Sequence, residues 1–176
     1  LKDGSSIKQT KEVVNCVVNN LQNEENITNI SAFLGVGQPL DFAALVKQSA
    51  LKDKESQAEM VVNIKKTKER NISSYNLVSN LRKNVQEKCS LYEANIKFIE
   101  LPAGPPVLAS IVAEIYGGNN FESRRDFSLK VAKIFKNQTT LVDIDVLADE
   151  DFITYDLHIN SNKTIMSGVD LEHLKV

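Results

Sequence analysis

The apolar residues at the start of the chain change their spacing, and each spacing predicts a different element. Between Ser6 and Gln22 they recur every three or four positions, which is the spacing of an amphipathic helix, with Ser5 or Ser6 available as its N-cap. From Ile27 to Leu34 they alternate, which predicts a strand. The helix is expected to bury Ile7, Val14, Val17, Val18 and Leu21.

The next elements follow in the opposite order, with the strand before the helix. Residues Ala58–Lys65 alternate and are predicted as a second strand. One face of this strand carries Met60, Val62 and Ile64. Ser73 or Ser74 can cap a second helix, and Asn95–Leu101 is predicted as the strand that closes this half. The buried stripe of the second helix is expected at Val78, Leu81, Val85 and Cys89.

A proline-rich stretch separates this half from the next one. Proline fixes φ and lacks an amide hydrogen, so three prolines and a glycine between Pro102 and Pro106 exclude both a helix and a central strand. We interpret the stretch as a stiff, extended connector between a domain of residues 1–102 and a domain of residues 103–176. Its predicted hinge residues are Pro102, Gly104, Pro105 and Pro106.

The second half repeats the plan of the first. Its predicted strands are Leu108–Tyr116, Leu141–Leu147 and Phe152–Ile159, and its predicted helices are Phe121–Lys136 and Ser161–Leu174. The first of these helices has Phe127, Val131, Ile134 and Phe135 on one face. Each half is then a βαββαβ unit without one terminal strand. The fold class that this order predicts is α+β, with two tandem ferredoxin-like units.

Composition excludes several classes of protein. The apolar fraction of 42% and the charged fraction of 25% are ordinary for a globular chain, and the net charge is −2. With no tryptophan and 6% aromatic residues, the chain is poorly supplied with base-stacking side chains, and we expect no nucleic-acid partner. No stretch approaches the ~20 apolar residues that cross a bilayer. The abrupt opening at Leu1 is typical of a piece excised from a longer protein.

The residues that usually carry catalysis are sparse. The two histidines, His158 and His173, lie on a predicted strand and near the end of the chain. The acidic residues between Asp143 and Asp156 lack the spacing of a calcium loop, and Gly35-Val36-Gly37 lacks the third glycine of a phosphate-binding turn. We therefore expect no catalytic residues, no metal, no cofactor and no enzymatic activity.

The two cysteines are predicted to be free thiols. This prediction takes the first two helices to lie side by side and parallel. Cys16 then falls at the middle of one helix and Cys89 at the far end of the other, which separates them by about 9 Å along the helix axis. A disulfide needs Cα atoms within about 7 Å.

The connection between the first two predicted strands is long. It runs from Gly35 to about Ser56, and long ordered loops in compact domains are usually functional. Its apolar residues are Leu40, Phe42, Leu45 and Val46, with Pro39 beside them. They are equally suited to pinning the loop onto the core and to contacting a ligand, and both interpretations stay open.

Four stretches of sequence resemble one family. Residues Ile96–Gly117 resemble the "V-x-x-P-P-G-P-P-V-x-x-x-x-V-A-E-V-Y-G" string that joins two porter subdomains in RND-superfamily inner-membrane efflux transporters. The P-x-x-F-x-x-L-V pattern of the loop and the segment Ala58–Asn63 are similar to the same group. Leu1–Ser6 is similar to its "L-P-x-G-T/S" turn.

The resemblance implies a fold, a function and a location. The chain would be the second periplasmic porter region of such a protein, built from ferredoxin-like subdomains, in the periplasmic portion of a bacterial inner-membrane protein. It would bind substrate for the proton-driven efflux of hydrophobic or amphiphilic molecules, as in multidrug resistance. The loop would correspond to the flexible switch loop of the substrate pocket. The implied substrate contacts are Phe33, Val36, Leu40 and Phe42.

The same resemblance implies partners. They are the remaining porter and membrane domains of the transporter, a homotrimeric assembly of the full-length protein, and periplasmic adaptor and outer-membrane channel proteins. One alternative stays open, namely a protein-interaction module whose clefts bind partner chains and which has no role in small-molecule transport.

Overall fold

A computed structural model describes residues 1–39, 41, 44–45, 49, 52–100, 109–148, 151–156 and 158–168. Over these residues the protein is a small α+β fold with a two-stranded antiparallel sheet. The helices are α1 (Ile7–Leu21), α2 (Ser74–Lys88), α3 (Phe121–Lys136) and α4 (Ser161–Met166). The strands are β1 (Ile27–Leu34) and β2 (Ala58–Ile64), and short 3-10 turns cover Thr67–Glu69 and Ser90–Tyr92.

Helix α1 begins with the predicted cap. The Ser6 side chain accepts a hydrogen bond from the Gln9 amide at 3.4 Å, and the Ser6 amide donates to Gln9 Oε1 at 2.9 Å. This reciprocal capping box satisfies two backbone donors that the first turn leaves unpaired. The predicted stripe is confirmed at Val14, Val17 and Leu21, which are buried together with Val13, whereas Ile7 is exposed.

Helix α2 supplies the other half of the core. Ser73 caps it by accepting a hydrogen bond from the Asn76 amide at 3.2 Å. Leu81, Val85 and Cys89 are buried as predicted, and Leu77 joins them. Because Val17 and Leu21 of α1 belong to the same buried cluster, the two helices share one core.

The helices cover one face of the β1–β2 hairpin. Cross-strand partners include Ile30 with Val62, and an irregularity between Ile27 and Asn29 shifts the register at the other end. On one face of the hairpin, the side chains of Ile30, Met60, Val62 and Ile64 pack against the helical core. We call the opposite face the outer face of the hairpin; there Phe33 lies opposite Glu59, and Ser31 lies opposite Val61.

The prediction of free thiols is wrong, because Cys16 and Cys89 form a disulfide with their Cα atoms 6.1 Å apart. The error lies in the assumed direction of the helices. The chain reverses between α1 and β1, between β1 and β2 and between β2 and α2, so α2 runs antiparallel to α1. Glu93, just beyond α2, accordingly contacts Lys2, just before α1, at 3.4 Å. This arrangement brings the end of α2 back beside the middle of α1.

The segment predicted as the strand Asn95–Leu101 is extended over residues 95–100 but forms no ladder with β2. Its backbone is instead bonded by side chains. The Ile96 carbonyl accepts from Gln86 Nε2 at 2.8 Å, and the Phe98 carbonyl accepts from Arg82 Nη2 at 3.0 Å. The Ile96 and Phe98 side chains nevertheless pack against the core.

In the second half, helix α3 has its predicted bounds, with Asn120 as its cap, bonded to the Ser123 amide at 2.9 Å. Its predicted stripe is not buried, since Phe127 is 55% exposed and Ile134 is 60% exposed. The strands predicted at Leu108–Tyr116, Leu141–Leu147 and Phe152–Ile159 do not form in the described parts of those ranges, where no ladder hydrogen bonds are made. The ferredoxin-like arrangement therefore stays a prediction.

Candidate functional site

In the loop between β1 and β2, the described residues Gln38, Ser49 and Lys52 all contact one carboxylate on the outer face of the hairpin. Glu59 lies on β2 with its side chain 16% exposed. Glu59 Oε2 accepts a hydrogen bond from the Gln38 amide at 3.0 Å and lies 3.3 Å from Lys52 Nζ. Glu59 Oε1 accepts from Ser49 Oγ at 2.9 Å. We call Glu59 with Gln38, Ser49 and Lys52 the Glu59 anchor.

The contacts of the Glu59 anchor lower the pKa of the Glu59 carboxyl group. Burial by itself raises the pKa of Glu59, because a charge is less stable away from water. The hydrogen bonds from Gln38 and Ser49 and the nearby Lys52 ammonium favour the ionised form and outweigh burial, so the pKa lies below its ordinary value of 4.5. At neutral pH the carboxylate is therefore charged and accepts the hydrogen bonds from the Gln38 amide and the Ser49 hydroxyl.

Two arms of the loop touch at a glycine. A Cβ atom at Gly37 would lie 1.9 Å from the carbonyl oxygen of Ser49 and 2.6 Å from its carbonyl carbon. Any side chain at this position would displace the backbone of Ser49, which is fully buried. Gly37 is thus required by the close approach of the two arms that Glu59 holds together.

Of the four residues predicted to contact substrate, two lie among the described residues. Phe33 is half-buried on the outer face, directly opposite Glu59 across the hairpin. Val36 lies in the loop with 53% of its surface exposed. The other two predicted contacts, Leu40 and Phe42, lie outside the described residues. The predicted hinge residues, which likewise lie outside them, are Pro102, Gly104, Pro105 and Pro106.

A second candidate site lies on the opposite face of the hairpin. A groove of about 470 Å³ runs between β2 and residues 94–100, and we call it the β2 groove. Its floor is formed by apolar side chains of both core helices, among them Val14, Val17, Leu77 and Leu81. Met60, Val62 and Ile64 form the β2 wall. Because Phe33 points to the other face of the sheet, the two sites are separate.

A cluster of charges fixes the far wall of this groove. Asp143 Oδ2 lies 2.9 Å from Arg82 Nη2 and accepts a hydrogen bond from the Phe98 amide at 3.2 Å. Asp145 forms an ion pair with Lys97 and accepts a hydrogen bond from the Asn95 side chain at 3.4 Å. Two members of the acidic run between Asp143 and Asp156 thus pair with cations of the first half.

Sequence reasoning missed the Glu59 anchor. Alternation along β2 placed Glu59 on the polar face, where an acidic residue is ordinary. The available signal was the length of the loop, because a long connection above a strand face needs polar contacts to hold it. Within the described ranges, no group of three or more histidine, cysteine or acidic side chains is placed to hold a metal ion. In the same ranges, no helix is both long enough and apolar enough to cross a membrane.

Comparison with protein families, curated proteins and solved structures found no match to this chain.

Proposed function

We propose that this chain is the periplasmic substrate-binding porter portion of a proton-driven RND-type efflux transporter, which moves hydrophobic or amphiphilic molecules out of the cell. The resemblance of residues 96–117 to the string that joins porter subdomains is the sequence support. The helix–strand–strand–helix order of α1, β1, β2 and α2, with both helices on one sheet face, is the arrangement that the centre of a ferredoxin-like unit requires.

The observation that carries the proposal is the Glu59 anchor. The contacts that Gln38, Ser49 and Lys52 make to Glu59 are polar, so they can break and re-form without loss of the hydrophobic core between α1 and α2. Phe33 lies directly opposite Glu59 on the outer face, so loosening of the anchor would expose more of Phe33, and the exposed Val36 follows it closely in sequence. An apolar surface that one loop covers and uncovers suits transient binding of amphiphilic molecules.

The disulfide supports the proposed location. Disulfides form and persist in oxidising compartments such as the bacterial periplasm and are rare in the cytosol. The Cys16–Cys89 bond joins the two core helices, so a protein folding in that compartment would be stabilised by it. The proposed partners are the other porter and membrane domains of a homotrimeric transporter, the periplasmic adaptor and the outer-membrane channel, since proton coupling needs residues in membrane helices.

A binding titration tests the proposal. N-phenyl-1-naphthylamine, a neutral apolar dye whose emission rises in apolar surroundings, would be titrated with the protein. We expect saturable binding that Val36→Asp weakens at least about tenfold, because a carboxylate in the contact surface must be desolvated. Val112→Asp is the matched control, since Val112 is similarly exposed at 55% but lies in the other half of the chain.

Two outcomes would overturn the proposal. One is dye binding that Val36→Asp and Val112→Asp weaken equally, which would mean that the dye adheres to exposed apolar side chains in general. The other is the absence of saturable dye binding while a partner protein from the same cell envelope binds. That result would favour the protein-interaction module.

A further inference from the structure

The sheet ends at β2 on the side of the β2 groove. β1 pairs with one edge of β2, and no described residue pairs with the other edge. Backbone donors and acceptors along a strand edge are strong hydrogen-bonding groups, and they recruit another strand unless they are covered. Among the described residues, none forms a ladder with this edge, which we call the open edge, and apolar side chains alone cannot bond its backbone groups.

The far wall of the groove, formed by residues 94–100, also has backbone groups that need hydrogen-bond partners. In an extended segment, the backbone groups of successive residues point to opposite sides. The backbones of Ile96 and Phe98 are bonded on the side of Gln86, Arg82 and Asp143. The backbones of Asn95, Lys97 and Ile99 make no hydrogen bond to other described residues, and by alternation they point the other way. Two open backbone edges thus flank one apolar floor.

The backbone groups on the walls favour a single extended chain. β2 has seven residues, a length of about 23 Å at 3.3 Å per residue. The backbone groups of a helix bond to one another and cannot pair with these walls, whereas those of a strand can. A strand also points only every second side chain toward the floor.

We propose that the β2 groove is a strand-accepting site. Its occupant is an extended peptide segment of a partner chain, with apolar residues at alternate positions. That segment would pair with the open edge of β2, and its apolar side chains would pack on the helical floor formed by residues such as Val17 and Leu81. The residues between them would face away from the helices and can be polar. The proposal does not depend on the transport function, because the outer face and the groove are separate surfaces.

A synthetic probe tests this pairing directly. The probe is a labelled peptide of alternating valine and threonine with a lysine at each end, and its matched control carries N-methyl groups on alternate amides. Fluorescence anisotropy should show saturable binding of the probe, and the N-methylated peptide should bind at least about tenfold more weakly, since several ladder hydrogen bonds are lost. Bound probe should also slow hydrogen exchange along β2.

Matched variants locate the site. Val62 and Val61 are neighbouring half-buried residues of β2 on opposite faces, so Val62→Lys places a charge in the groove and Val61→Lys places it on the outer face. Binding should be lost in the first variant and kept in the second. Circular dichroism checks that both fold, and if Val62→Lys does not, the comparison of the two peptides on the unaltered chain decides alone.

Three results would overturn the inference. Equal binding of the two peptides would mean that apolar contact, and no strand pairing, holds the probe. Equal loss of binding in folded Val61→Lys and Val62→Lys would place the probe elsewhere. A dimer that sedimentation detects and that excess probe does not dissociate would show that a second copy of the chain covers the β2 edge.

Discussion

Arg82 and Asp143 are 61 residues apart in sequence, yet their side chains meet with Nε 3.0 Å and Nη2 2.9 Å from the same carboxylate oxygen. Both side chains are largely shielded from water, at 18% and 13% exposure. The contact joins α2 to a segment of the second half, and it crosses the predicted domain boundary. Arg82 also donates to the Phe98 carbonyl, so one guanidinium organises three segments.

The first prediction concerns this contact. Asp143 has φ of 56°, in the left-handed region, which asparagine tolerates as well as aspartate does. Asp143→Asn therefore removes the charge without changing the backbone requirement. We expect it to lower the free energy of unfolding by about 2 kcal/mol, because a hydrogen-bonded charge pair shielded from water is broken. Denaturant titration measures the loss.

The control for that prediction is another aspartate in an ion pair. Asp151 lies 2.9 Å from Arg125, but the Asp151 side chain is 88% exposed. Asp151→Asn should change the free energy of unfolding by less than about 0.5 kcal/mol, since solvent screens such pairs. Equal losses in the two variants would contradict the role given to the shielded pair.

The second prediction concerns the disulfide. Cys16 and Cys89 are 73 residues apart in sequence, and closing a loop of that size restricts the unfolded chain. Reduction should lower the free energy of unfolding by about 2–4 kcal/mol. The double variant Cys16→Ser/Cys89→Ser should already have the lower stability and should not respond to reductant. Two titratable thiols in denatured, unreduced protein would show that the bond does not form.

The core of the first half could be predicted from sequence because its pattern is strong. Apolar residues recur at helical spacing around Leu21 and Val85 and alternate at strand spacing around Val62, and the element bounds agree with the structure within about two residues. The direction of α2 could also be predicted from the order of the elements. Three chain reversals between α1 and α2 require antiparallel helices, and antiparallel helices place Cys89 close to Cys16.

The second half could not be predicted in the same way. Apolar alternation in residues such as Ile153 and Tyr155 predicts a strand only if a partner strand is present, and these side chains are 80% and 85% exposed. Local pattern contains no information about the partner. The interactions that do form, such as Asp143 with Arg82, join residues far apart in sequence, and no periodicity reports them.

The third prediction concerns the packing of the loop. Gly37→Ala puts a methyl group where Ser49 backbone atoms already lie, so the two arms must separate. We expect a loss of about 1–3 kcal/mol in the free energy of unfolding. Gly117→Ala is the comparison, since Gly117 has φ of 86° but no atom within 4 Å of an added Cβ, and it reports backbone strain alone. A smaller loss at Gly37 than at Gly117 would contradict the close approach.

The last prediction concerns pH and the Glu59 anchor. Burial raises the pKa of Glu59, but the hydrogen bonds from Gln38 and Ser49 and the charge of Lys52 bring it below 4.5. Because the folded pKa is below that of the unfolded chain, the stabilisation is fully present above the unfolded pKa and is lost as the pH falls through the folded pKa. The loop should therefore stay attached at pH 5 to 7 and loosen only in a window below 4.5.

Nuclear magnetic resonance can follow this transition at the Gln38 amide, which donates to Glu59 Oε2 at 3.0 Å. Its chemical shift should titrate with a midpoint below 4.5 and move toward the value of an unbonded amide. Glu59→Gln should abolish the titration, since the amide side chain does not ionise in this range. If the midpoint lay above 4.5, burial would outweigh the three partners, and the carboxyl group would be a protonated donor in mild acid. The loop would then be attached by a different set of hydrogen bonds from the one described for the Glu59 anchor.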